Sequence, residues 1–241
     1  MKNKLFAGEF LWKILIDMGW RGVANHMEII YGTGNSAKIS YMQRALKALP
    51  LEIVGVKQAA DKKSLTLPEV EETGRTPLEN ARQKAQEYYR LFHSPVFSCD
   101  SGLYLWNHTT GQPLAEEEQP GVHVRGIGGR YTDDELLAHY ITLVREYGPI
   151  RARYKSAICL IWDEELWTES MDESLWGQPF LLADKPHVKR VEGFPLDSIS
   201  LDIKTGRYFY DMEKDSQDDL VSERGFAQFF EDFLKRLERV D

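Results

Sequence analysis

The sequence predicts an α/β protein with a partly parallel sheet. Three observations carry this: short strand-like runs alternate with helical periodicity through the first half of the chain, a glycine turn separates the first strand from its helix, and a β-rich stretch follows Gly148. "MEIIYGTGN" reads as a buried strand over Met27 to Tyr31 that ends in a turn at Gly32 to Asn35. In "SAKISYMQRALKAL", Ile39, Met42, Ala45, Leu46 and Leu49 share one helical face, and Pro50 stops the helix. "LEIVGV" is the second strand. A helix then starts at Pro77, where the missing N–H costs little, and runs to about Phe92; Thr76 and Glu79 have capping-box spacing. "PVFSCDSGLYLW" is a third strand, expected to run into a loop at Asp100 to Gly102.

Beyond Gly121 the glycine-rich turn "RGIGGRYTDDE" leads to a second capping box, Thr132 with Glu135, and a helix that ends near Gly148. "ARYKSAICLIW", "LWTES" and "LWGQPFLL" read as consecutive strands whose hairpins form an antiparallel extension or second lobe. In "SERGFAQFFEDFLKRL", Phe226, Phe229, Phe230, Phe233, Leu234 and Leu237 form one apolar stripe, which is core packing. No repeat, low-complexity segment or long linker divides the chain, so residues 27–241 are expected to form one domain.

Composition narrows the function. The 241 residues carry a formal charge of -8, which argues against gripping a nucleic-acid backbone but leaves room for a local cationic pocket. Cys99 and Cys159 have no metal-ligand spacing, and a reduced cytoplasmic setting is the default. The first 26 residues have Phe6, Phe10, Leu11, Ile14, Leu15 and Met18 at helical spacing, interrupted by Glu9, Lys13 and Asp17. They read as an accessory segment or as a stretch upstream of a working start at Met27. No run reaches the roughly 20 apolar residues of a membrane span, so a soluble protein is expected.

Three loops carry the chemistry. "TGNSAK" turns from a strand into a helix N-terminus, where backbone N–H groups, the Thr33 and Asn35 side chains and Lys38 suit a phosphate; Asn35 or Ser36 could equally serve only as a cap. "CDSGL" puts Asp100 just past the end of the buried strand "PVFSC", as a ligand group beyond a strand's carboxyl end or as a turn residue bonded to its own backbone. In "EETGRTPLENARQKA", Glu71 and Glu72 stand together before the turn, an arrangement that suits a magnesium ion held between a carboxylate and a polyphosphate. Lys84, two turns into the following helix, is a second candidate phosphate cation.

"TGNSAK", "EETGRTPLENARQKA", "CDSGL" and "QPGV" occur here in the order and approximate spacing of the Ham1/ITPase family of house-cleaning pyrophosphatases, and the chain resembles that family from Met27 onward. The resemblance implies a long mixed β-sheet with flanking helices, two lobes around a central cleft, and a homodimer. It implies Mg2+-dependent hydrolysis of a nucleoside triphosphate of the inosine or xanthosine type between the α and β phosphates, giving the monophosphate and pyrophosphate. It assigns phosphate binding to Thr33, Gly34, Asn35, Lys38 and Lys84, the metal to Glu72 and Asp100, and the proton acceptor for the attacking water to Asp100. Ser101 would lie against the substrate, with Phe194, Asp197, Ser222 and Arg224 on the side of the base.

The C-terminal half departs from the family's pattern. "GFPLDS" keeps Phe194 and Asp197 but has Leu196 for an aromatic residue and Ser198 for a proline; "SER" keeps Ser222 and Arg224 but has Glu223 for a histidine, and Asp218 falls where the family carries a lysine, with Lys214 the nearest cation. These changes bear on recognition of the base more than on the water and phosphate chemistry. Two alternatives therefore stand beside the hydrolase: a nucleotide-binding regulatory protein without turnover, and a hydrolase of shifted base preference.

Overall fold

The structure, a computed structural model, describes residues 27–126, 131–212 and 217–237, with side chains omitted for 217–221. The N-terminal segment, part of the glycine-rich turn after Arg125, Lys214 and the side chain of Asp218 lie outside the described residues.

Seven strands form one mixed sheet in the order β2-β1-β3-β4-β6-β7, with β5 paired to β4. Its spine is the antiparallel ladder of β3 (Val96–Asn107) and β4 (Ile150–Ile161), which pair from Val96 with Ile161 to Asn107 with Ile150. These two long strands serve both lobes. At one end, β1 (Met27–Tyr31) and β2 (Leu51–Gly55) add in parallel and β5 (Trp167–Ser170) adds to β4. At the other end, β6 (Phe180–Leu182) and β7 (Ser200–Asp202) continue the sheet from β4. We call these ends the lower and upper lobes.

Each lobe has its own core. In the lower lobe, α1 (Ser36–Ala45) and α5 (Gln217–Leu237) cover one face, and Phe97 lies between Tyr31, stacked at 4.4 Å, and the edge of Phe230 at 5.1 Å. Phe226, Phe230 and Phe233 are buried, as the apolar stripe requires, and each such burial contributes on the order of 2 kcal/mol. On the opposite face α3 (Pro77–Phe92) lays Ala81 and Ala85 against Cys159. The upper core gathers Leu103, Leu105 and Ile150 under α4 (Asp133–Tyr147). Both cysteines are free, and burial pushes each thiol up to about 12, so neither is a reactive nucleophile.

Three sequence expectations are corrected. β3 does not turn at Asp100 to Gly102: Asp100, Ser101 and Gly102 pair with Ala157, Ser156 and Lys155, so an unbroken cross-strand ladder overrides the turn preference of Asp-Ser-Gly. The first helix ends at Ala45, short of Leu49. A further helix, α2 (Val56–Lys63), follows β2 directly; with eight residues and no side-chain cap it carries neither a long period nor a start signal. Among the described residues, no helix is long and apolar enough to cross a membrane.

Candidate active site

The site lies at a gap in the sheet. On the edge of β3 away from β4, β1 pairs only at Val96 and Phe97, and Gly121 pairs higher up at Leu103. Between these contacts that edge has no strand partner among the described residues, and Asp100 sits at this level. Gly102 permits the upper contact: a Cβ there would stand 2.8 Å from the Gly121 carbonyl oxygen.

Lys84 is the centre of the gap. Its Nζ lies 3.1 Å from Asp100 Oδ1 and 3.2 Å from Glu72 Oε2, with the lysine and aspartate side chains only 11% and 12% exposed. Two carboxylates that touch one ammonium are within two hydrogen-bond lengths of each other. Asn80, buried beneath them, donates from Nδ2 to Asp100 Oδ2 at 3.0 Å, and its Oδ1 accepts the Gly74 N–H at 2.8 Å. That second bond fixes which end of the amide faces Asp100.

The "EETGRTPLENARQKA" motif is thus a self-tied loop and helix start. Thr73 and Gln83 exchange two hydrogen bonds, and Thr76 Oγ1 accepts the Glu79 N–H. Glu79 answers to the Arg75 N–H at 2.6 Å rather than to Thr76, so the expected capping box is displaced by one residue. A Cβ at Gly74 would lie 2.6 Å from Asn80 Oδ1, which explains glycine at the turn. Of the two adjacent glutamates, Glu72 is the one that reaches Lys84.

In the Thr33 loop, Asn35 caps α1: its Oδ1 accepts from the Ala37 and Lys38 N–H groups at 2.9 and 3.2 Å. Thr33 Oγ1 accepts the Asn35 N–H at 3.2 Å, so the loop's donors for an anion are the Thr33 hydroxyl, the Asn35 Nδ2 amide, the Gly34 and Ser36 N–H groups and the nearby cations. Lys38 is exposed, and although burial raises the thiol of Cys99, the residue next to Asp100, the field of Lys38 partly offsets that rise. Lys57, on the first turn of α2, packs its Cε 3.0 Å from where a Cβ of Gly34 would be, which puts a second ammonium over the loop. Sequence reasoning missed Lys57 because it missed α2.

Above the gap opens a cleft of about 490 Å³. Glu72 and Asn80 form its floor, Val122 to Gly126 one wall, and Tyr154 with Gly193 to Asp197 the other. Phe194 is 58% exposed there, whereas Leu196 is buried in the upper core as well as lining the cleft. Burial raises the Asp197 carboxyl, and burial together with that carboxylate pushes the Tyr154 phenol up to about 12. Arg125, His123 and Tyr154 were not anticipated; only the position of the first two just after "QPGV" could have flagged them. Asp133 accepts the Gly193 N–H and pairs with Arg125, and these contacts, the first above all, hold its carboxyl below the usual range.

The structure does not gather every expected residue. Ser101 hydrogen-bonds Ser156 at 3.0 Å on the sheet. Ser222 and Arg224 do not line the cleft: Ser222 meets Tyr41 at 2.7 Å and Glu223 pairs with Arg44 at 2.7 Å, both between α5 and α1.

Among the described residues no group of three or more His, Cys, Asp or Glu is arranged around one point. Glu72 and Asp100 instead offer two hard oxygen ligands that meet at the Lys84 ammonium. That donor set fits magnesium, which takes one or two carboxylates and completes its shell with phosphate and water.

A model of the Ham1 family matches residues 29–228. The chain is 30% identical over 137 residues to a dITP/XTP pyrophosphatase of Deinococcus deserti, covering 57% of this chain and 58% of that protein. It is 26% identical over 202 residues to a dITP/XTP pyrophosphatase of Lactobacillus johnsonii, covering 83% and 90%. The chain thus spans little more than half of the first relative's length. Among solved structures, a HAM1 protein from Coxiella burnetii superposes with a TM-score of 0.61 at 23% identity, covering 89% of this chain and 98% of that one. The Ham1 protein of Staphylococcus aureus gives 0.60 at 21%, with 86% and 98% covered. At such identities the superpositions speak for the fold.

Proposed function

Since the family model spans residues 29–228, the chain belongs to the Ham1 family, and on that premise we propose that it is a magnesium-dependent pyrophosphohydrolase of non-standard purine nucleoside triphosphates. The observation that carries the proposal is Lys84, buried against Asp100 and Glu72 where the edge of β3 lies open between β1 and Gly121 among the described residues. Names of relatives support the substrate class, and two carboxylates suited to a hard cation support the metal. Residues 27–241 would act as one two-lobed unit, and the homodimer implied by the resemblance is open to sedimentation analysis.

Each residue then has a role set by its contacts. Lys38, Lys57 and Lys84 supply positive charge for the triphosphate from separate elements. Asn80 holds the Asp100 carboxylate in one orientation, and Asp100 accepts the proton of the attacking water as its oxygen bonds to the α-phosphorus and the bond to the pyrophosphate breaks. Glu72 and Asp100 would hold magnesium, which when bound offsets charge on the leaving pyrophosphate. Phe194 offers a face for the purine to stack on, and Asp197 an acceptor at its edge.

The reading as a binder without turnover rested on Glu223 and Asp218. Glu223 is paired with Arg44, so it adds no uncompensated charge to the cleft. The test is a panel of nucleoside triphosphates with magnesium, scored for the product released. Pyrophosphate from inosine or xanthosine triphosphate in preference to the standard purines supports the proposal. Orthophosphate, or binding with no product, contradicts it.

A further inference from the structure

Phe194 is the exposed aromatic of the cleft, yet little of its ring is buried in the core, so its position depends on the backbone before it. That backbone is gripped. Asp133 Oδ2 accepts the Gly193 N–H at 2.7 Å, and Arg125 Nη2 donates to the Gly193 carbonyl at 2.9 Å. Arg125 Nη1 and Asp133 Oδ1 close the ring at 2.8 Å. An ion pair thus holds both polar groups of one residue, immediately before the proposed stacking face.

The pair itself stands on firm ground. Asp133 is the first residue of α4, and the complete Thr132/Glu135 capping box fixes that helix start without using the Asp133 carboxylate. Leu136, one turn on, is buried under the cleft. On the other side the Arg125 carbonyl accepts the Tyr131 N–H at 3.0 Å. Neighbouring Arg190 and Asp134 approach to 3.9 Å, but Asp134 is almost fully exposed and adds little.

We infer that Asp133 is a positioning residue for the nucleotide base: with Arg125 it clasps the Gly193 turn and so sets Phe194 as the wall on which the purine stacks. This rests on the proposed function for the identity of the ligand. It extends that reading by assigning base affinity to a carboxylate outside the cleft lining.

The experiment measures binding, which keeps it separate from turnover. Inosine monophosphate and inorganic pyrophosphate are titrated by calorimetry into the wild type, Asp133→Asn, Phe194→Ala and the double variant. Asp133→Asn should weaken inosine monophosphate about tenfold, an effect the size of losing part of one stacked base. Pyrophosphate, which has no base, should change less than about twofold. In the double variant the Asp133 change should add almost nothing to the Phe194 change, because residues that act through one another are not additive. Full additivity, equal weakening of both ligands, or no base-dependent binding in the wild type overturns the inference. If Asp133→Asn fails to fold, Asp133→Glu is titrated in its place: recovery of near-wild-type inosine monophosphate affinity is the expected result, and a uniform loss for both ligands counts against it.

Discussion

In the lower lobe Glu72, Asn80, Lys84 and Asp100 are bound to one another directly, and three of the four come from a single loop and helix. In the upper lobe Phe194 and Asp197, Arg125, and Tyr154 reach the cleft from three distant stretches, and the backbone before Phe194 is gripped at Gly193. The difference teaches that the proposed hydrolytic centre is encoded locally while the proposed base wall is assembled by the fold. Substitutions below should therefore abolish chemistry, and substitutions above should tune affinity.

The sharpest way to break this division is Asp100→Asn. Loss of the proton acceptor is expected to lower turnover by roughly a thousandfold while nucleotide still binds; unchanged steady-state rates would remove Asp100 from the mechanism. Next is Lys84→Met, which leaves a nearly buried carboxylate without its cation. It should destabilise the fold by about 3 kcal/mol in denaturant titration, and by less with magnesium present, because a bound cation would take the place of the lost ammonium. A denaturant midpoint equal to wild type would mean the pair carries no weight.

Phe194→Ala addresses the upper lobe. It should raise KM for the nucleoside triphosphate about tenfold with kcat nearly unchanged; a fall in kcat of the same size would place Phe194 in the chemistry and erase the division. The smallest effect is expected for Glu223→His. Glu223 is only 13% exposed and spends its carboxylate on Arg44, so the change should cost about 1 kcal/mol or less of stability and leave the substrate profile as it was. A shift toward inosine triphosphate would return this position to base recognition, as the bare sequence suggested.

Much of the fold was legible in the sequence for the same local reason. Strands β1 to β4, the Pro77 start of α3, the Thr132 cap of α4 and the aromatic stripe of α5 all follow from period, caps and turns. So did Glu72, Lys84 and Asp100, because one motif holds the first two and a three-residue signature holds the third. What failed depended on partners far along the chain. Asp-Ser-Gly reads as a turn until β4 pairs with it. Lys57 reads as a solvated helical lysine until Gly34 is beside it, and Asp133 reads as a first-turn acidic residue until Arg125 and Gly193 meet it. Glu223 reads as a charge in a pocket until Arg44 claims it.

The central claim is that Glu72 and Asp100 share one ion with the triphosphate. Manganese, standing in for magnesium, can be titrated by electron paramagnetic resonance with a non-hydrolysable nucleoside triphosphate present, in the wild type, Glu72→Gln, Asp100→Asn and the double variant. The account predicts one tight ion per chain, weakened in each single variant, with the double variant weaker than either by much less than the sum of the two losses. Tight binding that survives both changes, or losses that add in full, would show that the two carboxylates do not serve a common ion.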